Sequence, residues 1–169
     1  EMLVVDEAHE LADRVTGVAT GELSATALGA AQRRIGRLVR IVAAADAIVY
    51  QGCDDPSDSH YAELQAMGNE LAALRTRDGQ PYRLFPLPWA RPVIDEGRRL
   101  AASYANYLIV NGAVLMPAYG DPADDLARDV LAQAHPGREI VQVPCRSLIW
   151  QNGSLHCITM QLPQGLLRA

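Results

Sequence analysis

The feature that most constrains this chain is one order of elements written twice, 66 positions apart. In the first copy Ile48-Val49-Tyr50 reads as a strand. Asp55-Pro56-Ser57-Asp58 then opens an amphipathic helix with Tyr61, Leu64, Met67, Leu71 and Leu74 inward, and Tyr82 to Leu87 is a strand ending at Pro88. In the second copy Val114-Leu115-Met116 is the strand and Asp121-Pro122-Ala123-Asp124 opens a helix with Leu126, Val130 and Leu131 inward. Glu139 to Val143 then returns as a strand ending at Pro144. The first Asp of each Asp-Pro-x-Asp is suited to cap free helix N–H groups, and proline suits a first helical position that needs no donor. The second Asp sets negative charge on the positive end of the helix dipole. Asn111-Gly112, between Tyr107–Val110 and Ala113–Met116, is a two-residue hairpin signal. Repeated β-α-β units with added hairpins predict a sheet-rich α/β fold built in blades. Two such units do not close a ring, so the pattern predicts part of a larger design, with unpaired blade edges that promote self-association.

The rest of the sequence narrows the chemistry. All fifteen basic residues are arginine, which excludes mechanisms built on a lysine amine and any complete P-loop. A net charge of −5 argues against a nucleic-acid surface. No apolar run approaches the roughly 20 residues that span a bilayer. Cys53, Cys145 and Cys157 are odd in number and widely spaced, which suits neither a disulfide framework nor a zinc site. The expectation is a reduced, cytoplasmic protein with one real core. Before Leu38 the texture differs: Met2–Val5 reads as a short buried strand running into Asp6-Glu7-Ala8-His9, and Ser24 as the cap of a helix over Ala25–Arg37.

The most informative stretch is Trp150-Gln151-Asn152-Gly153-Ser154-Leu155-His156-Cys157-Ile158-Thr159-Met160-Gln161. It reads as a glycine-bearing turn feeding a short strand with Cys157 at its start. By spacing alone Cys157 is either a small buried hydrophobe or a thiolate held at the rim of a sheet. In an extended strand His156 and Cys157 point to opposite faces, so His156 reads as a packed histidine beneath the site. Gly153-Ser154-Leu155-His156-Cys157-Ile158-Thr159 resembles the sequence that ends agmatine deiminases and bacterial peptidyl-arginine deiminases. Asp54 to Tyr61, Ala102 to Tyr107, Gly120 to Asp124 and Pro136 to Val141 are similar to that family in the same order.

The resemblance covers about Leu38 to Ala169 and implies a pentein, a five-bladed β/α propeller, of which this chain would hold about two β-α-β blades after a short strand-helix segment. It implies hydrolysis of agmatine to N-carbamoylputrescine and ammonia, a step toward putrescine, with Cys157 as nucleophile and no metal or organic cofactor. Such chemistry needs carboxylates to grip a cationic, unreactive guanidinium and a general acid–base to protonate the departing ammonia. The family's Gly-His-x-Asp motif supplies such a histidine and carboxylate, but its positions fall here on Arg34 and Gly36, which can do neither.

Residues 1–37 instead resemble motif II of DinG-type DEAH-box helicases, in which Asp6 would bind magnesium and Glu7 would orient water, with His9 completing the motif. Without a P-loop, the simpler reading of Asp6, Glu7 and His9 is a solvated strand-to-helix turn. The expected division is thus 1–37, helicase-like, and 38–169, the C-terminal part of a deiminase-like domain. A fragment is also the expectation from a chain that opens on Glu1. A DEAH-box helicase remnant and a non-catalytic interaction module are the alternatives. Among lesser candidates, Cys53 and Cys145 read as packing residues, His60 lies near a helix terminus and His135 reads as a C-terminal cap. Arg98-Arg99 reads as a solvated pair, and Trp89 and Trp150 as core or entrance residues.

Overall fold

Among the described residues, two three-stranded sheets share the same wiring. In the computed structural model the described residues are 39–41 and 46–160, so Asp6, Glu7, His9, Ser24, Arg34 and Gly36 lie outside them. The first sheet contains β1 (Val39–Ile41), β2 (Ala47–Gln51) and β3 (Arg83–Leu87), and the second contains β6 (Leu108–Val110), β7 (Ala113–Ala118) and β8 (Glu139–Pro144). In each, an antiparallel pair comes first and a parallel partner is added after a helix: α1 (Tyr61–Ala73) links β2 to β3, and α2 (Ala123–Ala134) links β7 to β8. The duplicated pattern of the sequence is therefore a duplicated topology, with parallel strands crossing over through a helix as they must. A separate hairpin, β4 (Val93–Asp95) and β5 (Arg98–Leu100), stands between the sheets in sequence and turns on Glu96-Gly97.

The predicted hairpin at Asn111-Gly112 forms, with Val110 opposite Ala113. Gly112 alone takes a left-handed φ of 77°, so the turn is not the doubly left-handed one that Asn-Gly most often marks.

Strand β2 is buried on both faces, and each face serves a different core. Ile48 joins Leu64, Met67 and Leu71 of α1, with Tyr61 and Leu74 packed beside them as expected. Ala47 and Val49 join Leu87 and a larger core that contains Tyr104, Tyr107, Met116 and the inner face of α2. That inner face corrects the sequence reading. Leu131 is buried and Val130 half-buried, but Leu126 is 59% exposed, and Ala123, Ala127 and Ala134 are buried instead. Helix α2 packs against β3 and β2 of the first sheet as well as β8 and β7 of its own. A helix lodged between two sheets needs small side chains for close approach, and a periodicity count weighted toward leucine finds Leu131 and Val130 but misplaces Leu126 and misses the alanines.

The two Asp-Pro-x-Asp sequences also diverge. Asp121 accepts the amide of Ala123 at 2.8 Å, as a cap should. Asp124 turns back and accepts the amides of Tyr119, Gly120 and Asp121 and the hydroxyl of Tyr104. In the first copy Asp55 closes a local turn on Ser57, while α1 begins only at Tyr61 after His60, with no side-chain cap. Asp58 is not a helix-dipole charge. It accepts Arg99 in two bonds of 3.0 and 2.6 Å, with Trp89 Nε1 at 2.8 Å and the amide of His60 at 2.9 Å. The Arg99 guanidinium, aided by these other donors, holds its carboxyl far below the usual range. The Arg98-Arg99 pair is thus not simply solvated: Arg99 is committed to Asp58 and stacks 5.3 Å from the Trp89 ring centre.

Candidate active site

Cys157 sits at the end of the described chain, on a single turn of 3-10 helix over His156–Ile158, and not at the start of a strand. The turn is closed by the amides of Cys157, Ile158 and Thr159, which donate to the carbonyls of Ser154, Leu155 and His156. Three short local bonds satisfy backbone that a strand would have to pair with a neighbour. On this turn His156 and Cys157 do not take the opposite faces expected of a strand, and both are half-buried.

The approach to this turn is built by Asn152-Gly153. Asn152 ends the preceding 3-10 helix, Leu148–Gln151, in the left-handed region, which asparagine tolerates. Gly153 has a steric reason for being there. A Cβ at that position would lie 2.9 Å from the Cβ of Cys157, so only glycine lets the turn fold back beside the thiol. Arg98 braces the segment from outside, donating to Trp150 O at 2.7 Å and Asn152 Oδ1 at 3.1 Å with its guanidinium over the Trp150 ring. Trp150 is 48% exposed and so is not a core residue, whereas Trp89 is half-buried on Asp58.

Facing Cys157 is Asn106, a residue the sequence reading carried only inside the Ala102 to Tyr107 block. Its Oδ1 accepts the amides of His156 at 2.7 Å and Cys157 at 3.3 Å, and its Nδ2 donates to the Cys157 sulfur at 2.9 Å. The two amides fix which end of the carboxamide is oxygen, and the donor end is thereby turned onto the sulfur. A buried amide donor aimed at a half-buried thiol favours the thiolate. Asn106 is 8% exposed, far too buried to be a casual surface contact. Nothing in sequence spacing could have found this pairing, because 51 residues separate the two.

Of the other candidates, Cys53 and Cys145 are buried packing residues, with burial raising both thiol pKa values. His135 does end α2, but its side chain does not cap the helix. The ring is buried, with Nε2 3.2 Å from the Tyr107 hydroxyl, and desolvation together with nearby Arg138 lowers its pKa to about 4. A cleft of about 250 Å³ beside α1, lined in part by Cys53, Asp54, Gln65 and Trp89, includes neither Cys157 nor Asn106. Among the described residues no three His, Cys, Asp or Glu side chains group as a metal site, and no helix is long and apolar enough to cross a membrane.

With this geometry in view, comparison with known proteins is specific. Residues 20–163 match the Porphyromonas-type peptidyl-arginine deiminase family. The agmatine deiminase of Pseudomonas putida KT2440 is 34% identical over 133 residues, covering 68% of this chain and 36% of that enzyme. A solved structure from Porphyromonas gingivalis superposes with a TM-score of 0.73 at 52% identity, covering 78% of this chain and 38% of that one. A cysteine-to-serine variant of C. jejuni agmatine deiminase, solved with substrate bound, superposes with a TM-score of 0.64 at 37% identity, covering 71% of this chain and 34% of that one. The chain thus spans little more than a third of the length of these relatives. Its mixed α/β fold is that of the deiminase structures, and this chain belongs to the Porphyromonas-type peptidyl-arginine deiminase family.

Proposed function

We propose that this chain carries the thiol-bearing part of a guanidinium C–N hydrolase of the agmatine deiminase kind, with Cys157 as the nucleophile. The observation that carries this reading is the 2.9 Å contact from Asn106 Nδ2 to the Cys157 sulfur, at a turn that leaves the thiol half-exposed. The thiolate adds to the guanidinium carbon and forms a C–S bond. A C–N bond then breaks, and the nitrogen leaves as ammonia after gaining a proton. Water attacks the resulting thiouronium carbon, the C–S bond breaks, and a urea-type product departs as the thiol is restored. Asn106 contributes twice: its donor end holds the sulfur's negative charge, and its acceptor end fixes the turn on which the sulfur stands.

Agmatine is the proposed substrate, since it is the namesake substrate of the relatives matched. The arrangement of the two sheets as neighbouring blades of an incomplete propeller belongs to the same proposal, supported by their shared wiring and the helix lodged between them. The division into a helicase-like 1–37 and a deiminase-like 38–169 is also proposed as ancestry; the family match, beginning at residue 20, overlaps the later part of the first segment.

A cysteine alone does not complete the reaction. The family position for the general acid–base falls on Arg34 and that for a substrate-binding carboxylate on Gly36, so the chain has neither the proton carrier nor that carboxylate there. Incubated with agmatine, the isolated chain is expected to release no ammonia above background, while iodoacetamide labels Cys157 faster than Cys53 or Cys145. Replacing Asn106 by alanine should slow that labelling about tenfold at neutral pH, a loss of roughly one pKa unit of thiolate support. Labelling that ignores Asn106→Ala defeats the nucleophile reading, and agmatine turnover abolished by Cys157→Ala defeats the prediction of inactivity.

A further inference from the structure

Asn106 and Cys157 come from segments far apart in sequence, and each is preceded by a serine three positions earlier whose carbonyl accepts its backbone amide. Ser103 O accepts Asn106 N at 3.3 Å, and Ser154 O accepts Cys157 N at 3.1 Å. One hydroxyl reaches both serines. Tyr119, directly after β7, places its phenolic oxygen 2.9 Å from Ser103 O, 3.1 Å from Ser103 N and 3.0 Å from Ser154 Oγ. Its one proton goes to the Ser103 carbonyl and its lone pairs take the Ser103 amide and the Ser154 hydroxyl, so the phenol is fully used.

We propose that Tyr119 is a positioning residue for the thiol, a clasp that joins the Asn106 segment to the Cys157 turn and so sets the Asn106–Cys157 contact. The inference rests on the reading of Cys157 as nucleophile. Tyr119 is 2% and Ser154 1% exposed, with Ser103 half-buried, so water cannot cheaply replace the buried bond to Ser154. The clasp is itself anchored. The Tyr119 amide donates to Asp124, its ring lies 5.5 Å from that of Tyr104, and Ser103 Oγ donates to Gln51 Oε1 in the first sheet. Burial pushes the Tyr119 pKa up to about 12, so the phenol keeps the proton it donates at any pH at which the thiol would work.

Tyr119→Phe keeps the ring packing and removes only the three bonds. The test is peptide-resolved iodoacetamide labelling of the full chain across pH, on the parent, Tyr119→Phe, Asn106→Ala and the double variant. Tyr119→Phe is expected to raise the apparent pKa of Cys157 by about one unit and to slow its labelling about tenfold at pH 7, leaving Cys53 unchanged. The double variant should be no slower than Asn106→Ala alone, because the clasp acts through that side chain. Ser154→Ala, which cuts the nucleophile's arm and also removes a hydroxyl beside Cys145, should move the Cys157 profile the same way, and it carries the comparison if Tyr119→Phe loses cooperative melting. A folded variant with the parent's pH profile, or effects that multiply in the double variant, overturns the clasp alone. A parent Cys157 that titrates like a free thiol overturns the nucleophile reading, and the clasp with it.

Discussion

Burial of His135 against Tyr107 decides its protonation state and ties stability to pH. The ring loses solvation and faces Arg138, so its folded pKa falls to about 4 from an ordinary value of 6.5. The folded state therefore refuses a proton that the unfolded chain accepts. Stability from this residue is fully present above pH 6.5 and is lost as pH falls toward 4, by a total on the order of 3 kcal/mol. Urea unfolding between pH 7 and pH 4 should show that loss in the parent and a flatter profile in His135→Phe. An unchanged slope in the variant means that another group governs acid stability. Asp58, whose carboxyl is depressed by Arg99, contributes stability that is present above its ordinary pKa of 3.8 and is lost as pH falls through and below that value.

At the scale of one element, α2 shows that helix orientation follows the space available. Its buried stripe, Ala123, Ala127, Leu131 and Ala134, is small where it meets β2 and β3, while Leu126 points outward. Leu126→Glu should therefore change unfolding free energy by no more than about 0.5 kcal/mol, as exposed substitutions do. Ala127→Leu, at a position with no exposed surface, should destabilise by roughly 1–3 kcal/mol or force the helix off the first sheet. Thermal melts of the two variants measure this directly. The opposite ranking restores the leucine-facing orientation that periodicity suggests.

For the molecule as a whole, the repeat has a packing consequence. Helix α2 serves its own sheet and the preceding one, so the two units share a core through β2 and β3. Strands β1, β3, β6 and β8 each stand at an edge of their sheets among the described residues. Edges of this kind template pairing with another chain unless they are covered. Sedimentation velocity at rising concentration should show reversible growth beyond a monomer. A single monomeric species throughout would mean that the edges are protected.

The sequence by itself determined the order of elements within the two repeated units, their doubling, the inner face of α1, the Asn111-Gly112 hairpin and the family, because these depend on local periodicity, turn chemistry and short motifs. It also singled out Cys157 through the residues around it. Only the tertiary structure decided that Cys157 stands on a 3-10 turn, that Asn106 faces its sulfur, that α2 turns alanines inward and that His135 is a buried partner of Tyr107 and not a cap. Each of those outcomes depends on what lies across space from a residue, and on which polar groups remain unsatisfied once the sheets and helices have packed.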